Sequence, residues 1–252
     1  MIYAAGQARS AIRTAPRQAR RAAASARILH SWGPLCSWWL DAHATGGAEY
    51  SAVSTATNRI PGASITAPGA APIIASDADG RRWIGFDGVS MNLTVSSTTD
   101  PKSLTVCALI SVDALPGLGF IAERGPAYNT ATNGYAMSIQ ATGEARISCY
   151  SGPYSIATSD AAYTGGVIIG RVDRAQAAGE TSLFSDGAPL PYTQTFDGDT
   201  GDGADSAVTN IGSRNGGASN AFAGRIAQAL VVEAVLSDEQ IADLSALIEA
   251  RA

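Results

Sequence analysis

Four aspartates fall within nine residues in the run Asp197-Gly198-Asp199-Thr200-Gly201-Asp202-Gly203-Ala204-Asp205. A calcium ion takes six to eight oxygen ligands, and carboxylates at this density could supply several of them. Asp197, Asp199, Asp202 and Asp205 are therefore candidate metal ligands, and calcium is the one cofactor the sequence offers. The spacing is not that of an EF-hand. The sixth position from Asp197 is Asp202 rather than glycine, and no glutamate closes the loop. A solvated Gly-Asp turn has the same composition and is the simpler alternative.

A second group of residues has the chemistry of saccharide recognition, in which an aromatic ring stacks on a sugar face and amide or guanidinium groups hydrogen-bond its hydroxyls. These are Tyr128, Asn129, Tyr150, Tyr154, Arg214 and Asn215, placed by the turn pattern in loops at the rim of a sheet. Tyrosine at a turn also serves plain packing. Glycoside hydrolysis would need two carboxylates about 5–9 Å apart. The glutamates (Glu49, Glu123, Glu144, Glu180, Glu233, Glu239, Glu249) are scattered, and the two histidines are His30 and His43. Neither a carboxylate pair nor a histidine-based triad emerges, and a non-enzymatic protein is expected.

The third group is a basic arm. Arg9, Arg13, Arg17, Arg20, Arg21 and Arg27 lie in the first 40 residues, which hold no acid, while the remainder carries 11 basic and 22 acidic residues. Such asymmetry suggests that residues 1–40 form an anchoring arm that docks on an acidic partner. Six arginines could neutralise phosphates. However, no aromatic interleaving accompanies them and the acidic body would repel nucleic acid, so a protein surface is the favoured partner. The arm reads as Ala- and Arg-rich helix broken at Pro16. Its recurring arginines exclude a secretory signal, although transit peptides share its composition. No apolar run reaches the 18 residues of a membrane span, so no membrane partner is expected.

The elements that must position these groups are strands. Glycine at 27 and proline at 11 of 252 residues indicate many turns. Trp32, Trp38 and Trp39 form a packing hinge, and residues 41–80 read as short irregular strands and loops. Regular alternation then predicts strands over Arg82–Gly88, Met91–Val95, Ser103–Val112, Gly119–Glu123, Tyr135–Ile139, Ala145–Tyr150, Gly166–Asp173 and Thr181–Ser185. Pro189–Thr193 is read as the return strand of a hairpin across Asp186-Gly187, followed by a short strand ending at Asn210-Ile211-Gly212 and a long one over Gly224–Glu233. Ser237 and Gln240 form a capping box, and Ile241, Leu244, Leu247 and Ile248 line one face of a terminal helix. The three cysteines Cys36, Cys107 and Cys149 have no metal-type spacing, and Cys107 and Cys149 are expected as buried small hydrophobes.

The ordered series Phe86-Asp87-Gly88, Ser103 to Ala108, Gly134 to Ile139, Ser185-Asp186-Gly187, Ile211-Gly212, Phe222 to Ile226 and Leu236 to Ile241 resembles the laminin G-like branch of the concanavalin A-like lectin/glucanase superfamily over roughly residues 80–250. The resemblance implies an all-β fold, a two-sheet antiparallel sandwich (a concanavalin A-like jelly roll) over residues 41–252 with the basic arm before it and a short C-terminal helix. It also raises the expectation of calcium at the sandwich rim. Two functions follow. The first is a non-enzymatic bacteriophage virion protein, the arm anchoring the jelly roll on other virion proteins of a capsid or tail, as a homo-oligomer. The alternative is a carbohydrate-binding module recognising surface polysaccharide through the concave sheet and its rim.

Overall fold

The computed structural model describes residues 35–96, 103–113, 117–125, 134–150, 153–176, 180–198, 200, 208–214 and 219–251. They build two antiparallel sheets and one helix. In chain order the strands are β1 (Cys36–Asp41), β2 (Thr55–Ala56), β3 (Ile65–Thr66), β4 (Ile73–Ser76), β5 (Arg82–Asp87), β6 (Leu93–Val95), β7 (Leu104–Val112), β8 (Gly119–Arg124) and β9 (Gly134–Ile139). They continue as β10 (Glu144–Tyr150), β11 (Tyr154–Ala162), β12 (Gly165–Val172), β13 (Thr181–Ser185), β14 (Ala188–Pro189), β15 (Tyr192–Phe196), β16 (Thr209–Ile211) and β17 (Ala223–Val232). Helix α1 (Asp238–Arg251) ends the described chain.

One sheet runs β14-β13-β12-β7-β17-β5-β4, with β1 also paired to β17; the other runs β15-β11-β10-β9-β8-β16-β6-β3-β2. Alternation sends Leu104, Val106, Ala108 and Ile110 of β7 inward, where they meet Met137, Ile139 and Ile147 of the facing sheet. Cys107 and Leu109, the residues between, point the other way and are buried as well, beside Val167, Ile169 and Leu230. The first sheet is therefore apolar on both faces. Its second face is covered by Leu236, Ile241, Leu244, Leu247 and Ile248 on and beside α1. Burying each large aliphatic side chain contributes about 1.5–3 kcal/mol. The capping box forms as the sequence indicates, Gln240 N–H donating to Ser237 Oγ at 3.3 Å and Ser237 N–H to Gln240 Oε1 at 2.8 Å. Asp186 and Gly187 both adopt positive φ (49° and 82°), the turn that an Asp-Gly pair permits at low cost.

Three segments differ from the sequence reading. Residues 36–40, grouped with the basic arm, form β1 inside the sandwich: Trp38 faces the core and Trp39 the helix-covered side. Trp39 Nε1 donates to Gln228 Oε1 at 2.6 Å, and Gln228 Nε2 to the fully buried Asp41 at 2.9 Å, which Arg59 neutralises. Tyr154, placed in a rim loop, and residues 155–162, assigned to no strand, form the nine-residue β11. The return strand expected over Pro189–Thr193 divides between sheets. Only Ala188 and Pro189 pair with β13, and after Pro191 the chain crosses to pair with β11.

Asp87 closes the turn after β5, accepting N–H bonds from Val89, Ser90 and Met91 at 2.9, 3.0 and 3.0 Å. Burial pushes its carboxyl up, but these donors outweigh that and hold it below the usual carboxylate range. A lowered carboxylate contributes stability that is present above its unfolded pKa and lost as pH falls through the folded one. Chemical denaturation below about pH 4 should therefore show stability falling with pH in wild type and a shallower slope in Asp87→Asn; equal slopes would remove this role for Asp87.

Candidate functional site

Because α1 and its neighbours occupy the outer face of the first sheet, the outer face of the nine-stranded sheet is the surface left for recognition. Among the described residues no helix packs on it. Register places Thr55, Thr66, Thr94, Asn210, Glu123, Ala136, Ser148, Ile156 and Thr195 level across all nine strands. A parallel row holds Phe120, Ser138, Arg146, Thr158 and Thr193. A third sets Tyr150 opposite Tyr154. Their strand neighbours Met137, Ile147, Cys149 and Ala157 fill the core, which fixes these three rows as outward-facing.

This face is polar yet shielded from bulk water. Arg146 is 8% exposed, Ser148 2%, Asn210 4% and Glu123 3%. Arg146 Nη2 donates to Tyr150 Oη at 3.2 Å, spanning the three residues between them along β10. The rings of Tyr150 and Tyr154 lie 6.3 Å apart at 43°. Across the sheet Arg214 Nε donates to Glu123 Oε1 at 3.1 Å, and its guanidinium lies 5.9 Å from the centre of the Phe120 ring. Charge-assisted bonds in such shielded surroundings are stronger than their counterparts in water. Of these side chains Tyr154, Arg214, Thr158, Thr193 and Thr195 reach solvent, whereas Phe120, Arg146, Ser148 and Tyr150 lie buried beneath them; an open ring edge beside hydroxyls and a guanidinium is the chemistry of saccharide contact.

Of the six residues proposed for saccharide contact, Tyr150, Tyr154 and Arg214 lie on this face; Tyr128, Asn129 and Asn215 lie outside the described residues. Tyr150 and Tyr154 are strand residues flanking a hairpin, not loop residues. Arg146, Ser148, Glu123, Phe120 and Asn210 were missed. The alternation Ala145-Arg146-Ile147-Ser148-Cys149-Tyr150 was the available signal, since apolar residues at odd positions put Arg146, Ser148 and Tyr150 on one face.

Of the proposed calcium ligands, Asp199, Asp202 and Asp205 lie outside the described residues. Asp197 N–H donates to Tyr154 O at 2.9 Å, at the end of β15. Among the described residues no group of three or more metal-ligating side chains forms. The same loop carries an anchor. Thr200 is fully buried, its N–H donating to Glu180 Oε1 at 3.1 Å and its hydroxyl to Glu180 Oε2. Arg174 Nη1 donates to Thr200 O and Oγ1, both at 2.8 Å, and Nη2 to Gly134 O at 3.0 Å. Cys149 completes the cluster with Sγ 3.3 Å from Glu180 Oε2. Burial pushes this thiol up to about 12, with Arg174 and Thr200 pulling down and Glu180 pushing up. Cys149 is thus protonated at neutral pH and is a hydrogen-bond donor as well as a small hydrophobe. The arginines of the arm, Arg9, Arg13, Arg17, Arg20, Arg21 and Arg27, lie outside the described residues.

The profile of the concanavalin A-like lectin/glucanases superfamily matches residues 85–242, and the chain belongs to that superfamily. No curated protein sequence matches it. Among solved structures it is similar to domain 4 of AbnA, an extracellular GH43 arabinanase from Geobacillus stearothermophilus in complex with arabinotriose, at TM-score 0.55 and 14% identity over 83% of this chain and 98% of that one. It is also similar to Trypanosoma rangeli sialidase in complex with sialic acid, at TM-score 0.53 and 14% identity over 84% of this chain. The chain spans only 32% of that sialidase. These likenesses are of fold.

Two outcomes test the site's architecture. Arg174→Met removes the three hydrogen bonds donated to Thr200 O, Thr200 Oγ1 and Gly134 O and should cost more than Thr200→Val, which removes the hydroxyl alone and should cost about 1–3 kcal/mol. Urea denaturation distinguishes them, and a loss under 1 kcal/mol for both would mean the cluster does not anchor the loop. In the folded protein Cys149 and the buried Cys107 should resist iodoacetamide at pH 8 and react on unfolding, read by intact mass; rapid native labelling would contradict their burial.

Proposed function

We propose that the protein is a non-enzymatic carbohydrate-binding module whose ligand lies on the outer face of the nine-stranded sheet. The observation that carries this reading is the half-buried Tyr154 beside Tyr150, which Arg146 holds from below, on adjacent strands of the sheet face that no described helix covers. Membership of a lectin and glucanase superfamily supports a saccharide as the class of ligand. Against hydrolysis, Glu123 is the one acid in the three rows described above, and Arg214 engages it. A single engaged carboxylate does not supply the acid and the base or nucleophile of glycoside cleavage.

Glycan-array screening followed by calorimetry with the best saccharide tests the reading. Tyr154 is half-buried, so Tyr154→Ala should leave the melting temperature within a few degrees while weakening binding ten-fold or more, about 1.4 kcal/mol. Arg146→Gln should weaken it similarly. Unaltered affinity in both, or no saccharide bound by wild type across the array, would contradict the reading.

A second reading, attachment of this module to a bacteriophage capsid or tail through the basic arm, draws its support from the charge contrast between residues 1–40 and the acidic remainder. Deleting residues 1–31 should then leave a folded sandwich that binds saccharide but no longer joins a particle.

A further inference from the structure

We propose that two copies of this chain pair edge to edge through β15, joining their nine-stranded sheets into one continuous sheet.

A sheet edge exposes unpaired N–H and C=O groups, and proteins normally blunt it. Among the described residues the free side of β1 is bonded by the segment after β2, Asp41 N–H to Thr57 O at 3.1 Å and Arg59 N–H to Trp39 O at 3.0 Å, and three of the four end strands of the two sheets are blunted. Along β4 the loop before it bonds back, Tyr50 N–H to Ile74 O at 2.8 Å and Val53 N–H to Pro72 O at 2.7 Å. The β14 edge is two residues long, ends in proline and lies beside α1, while β2 is also only two residues. The fourth edge, β15, is five residues long, and among the described residues no strand pairs with its outer side. Its sequence, Tyr192-Thr193-Gln194-Thr195-Phe196, has no charge and no proline. It is therefore open and without the usual protection.

The direction of its free groups follows from the ladder. Asp160 donates to Pro191 O at 3.1 Å and Asp197 to Tyr154 O at 2.9 Å, at the two ends of the β11–β15 pair. Between them Thr193 faces Thr158 and Thr195 faces Ile156. Antiparallel alternation then turns the backbone groups of Thr193 and Thr195 toward β11, and those of Tyr192, Gln194 and Phe196 outward.

The strand also reads nearly the same in both directions about Gln194, as aromatic, Thr, Gln, Thr, aromatic. A two-fold axis at Gln194 sets Tyr192 opposite the second copy's Phe196, and Gln194 opposite its own counterpart. Those are the residues whose backbone groups are open. In this register the Tyr192–Phe196 pairs and the Gln194–Gln194 pair exchange both hydrogen bonds, and no outward group of the strand is left orphaned. A shift by one residue would oppose open groups to groups already bonded to β11. The half-buried rings of Tyr192 and Phe196 meet on the core side, covering apolar surface that a lone copy leaves at its edge. On the outer side Thr193 meets the second copy's Thr195 in the closer, non-hydrogen-bonded pairing. The two outer faces become one surface, so a polymer touching both gains avidity; the pairing itself does not depend on the saccharide reading.

Sedimentation velocity on the full chain over a concentration series tests this. Wild type should sediment as a dimer at the upper end. Thr193→Lys with Thr195→Lys opposes like charges on exposed positions and should give a folded monomer with an unchanged circular dichroism melt. Thr193→Glu with Thr195→Glu should do the same. A mixture of the two variants should recover a dimer, since lysine then faces glutamate. Amide exchange at Gln194 should slow in the dimer. A wild type that is monomeric throughout, a dimer that survives in the lysine variant, or a mixture that stays monomeric would each overturn the proposal.

Discussion

The structure depends on one constraint: the central strands of the first sheet are apolar on both faces. Leu104, Val106, Ala108 and Ile110 of β7 require the second sheet, while Cys107 and Leu109 require something on the opposite side. Strands of this kind cannot stand at a water interface, because each uncovered aliphatic residue forfeits its transfer free energy. The sequence after β17 meets the need with a capped helix whose apolar stripe is Ile241, Leu244, Leu247 and Ile248. Once that face is occupied, the outer face of the other sheet is the one that no described helix covers. Its outward residues are free to be arginine, serine, threonine and tyrosine because nothing in the core requires them.

The ends of the sandwich are held by ionic and polar clusters rather than by apolar contacts. At one edge Asp41, Arg59, Gln228 and Trp39 tie β1 to β17. At one end Glu180, Arg174, Thr200 and Cys149 fasten the acidic loop between the sheets. The Asp41–Arg59 pair is costly to break from the arginine side, because the carboxylate left behind is fully buried. The loop of aspartates enters the fold through an uncharged residue, Thr200.

Much of the architecture was legible in the sequence where alternation was clean. Strands β5 to β10, β12, β13, β16 and β17, the Asp186-Gly187 turn and the capping box all follow from period-two apolar patterns and turn chemistry. What escaped has physical causes. In β1, Trp38 and Trp39 are adjacent yet buried on opposite faces, so no polar residue marks the alternation. β11 carries Ser155, Ala157 and Ser159 where a stronger strand would carry Val or Ile, because its inner positions need only small side chains. β15 follows a proline at which the chain leaves one sheet for the other, and a local pattern cannot reveal which sheet a strand joins. The candidate face was half legible. Tyr150, Tyr154 and Arg214 were proposed from residue type and lie on it, whereas placing Arg146 there needed the strand assignment of β10 to be carried through to its faces.

The proposed saccharide face is read directly by amide chemical-shift mapping during titration with an oligosaccharide. Shifts concentrated on β8 to β11, centred on Arg146, Ser148, Tyr150 and Tyr154, are the expected result. Shifts concentrated on α1 and the first sheet, with β10 and β11 unmoved, would contradict it.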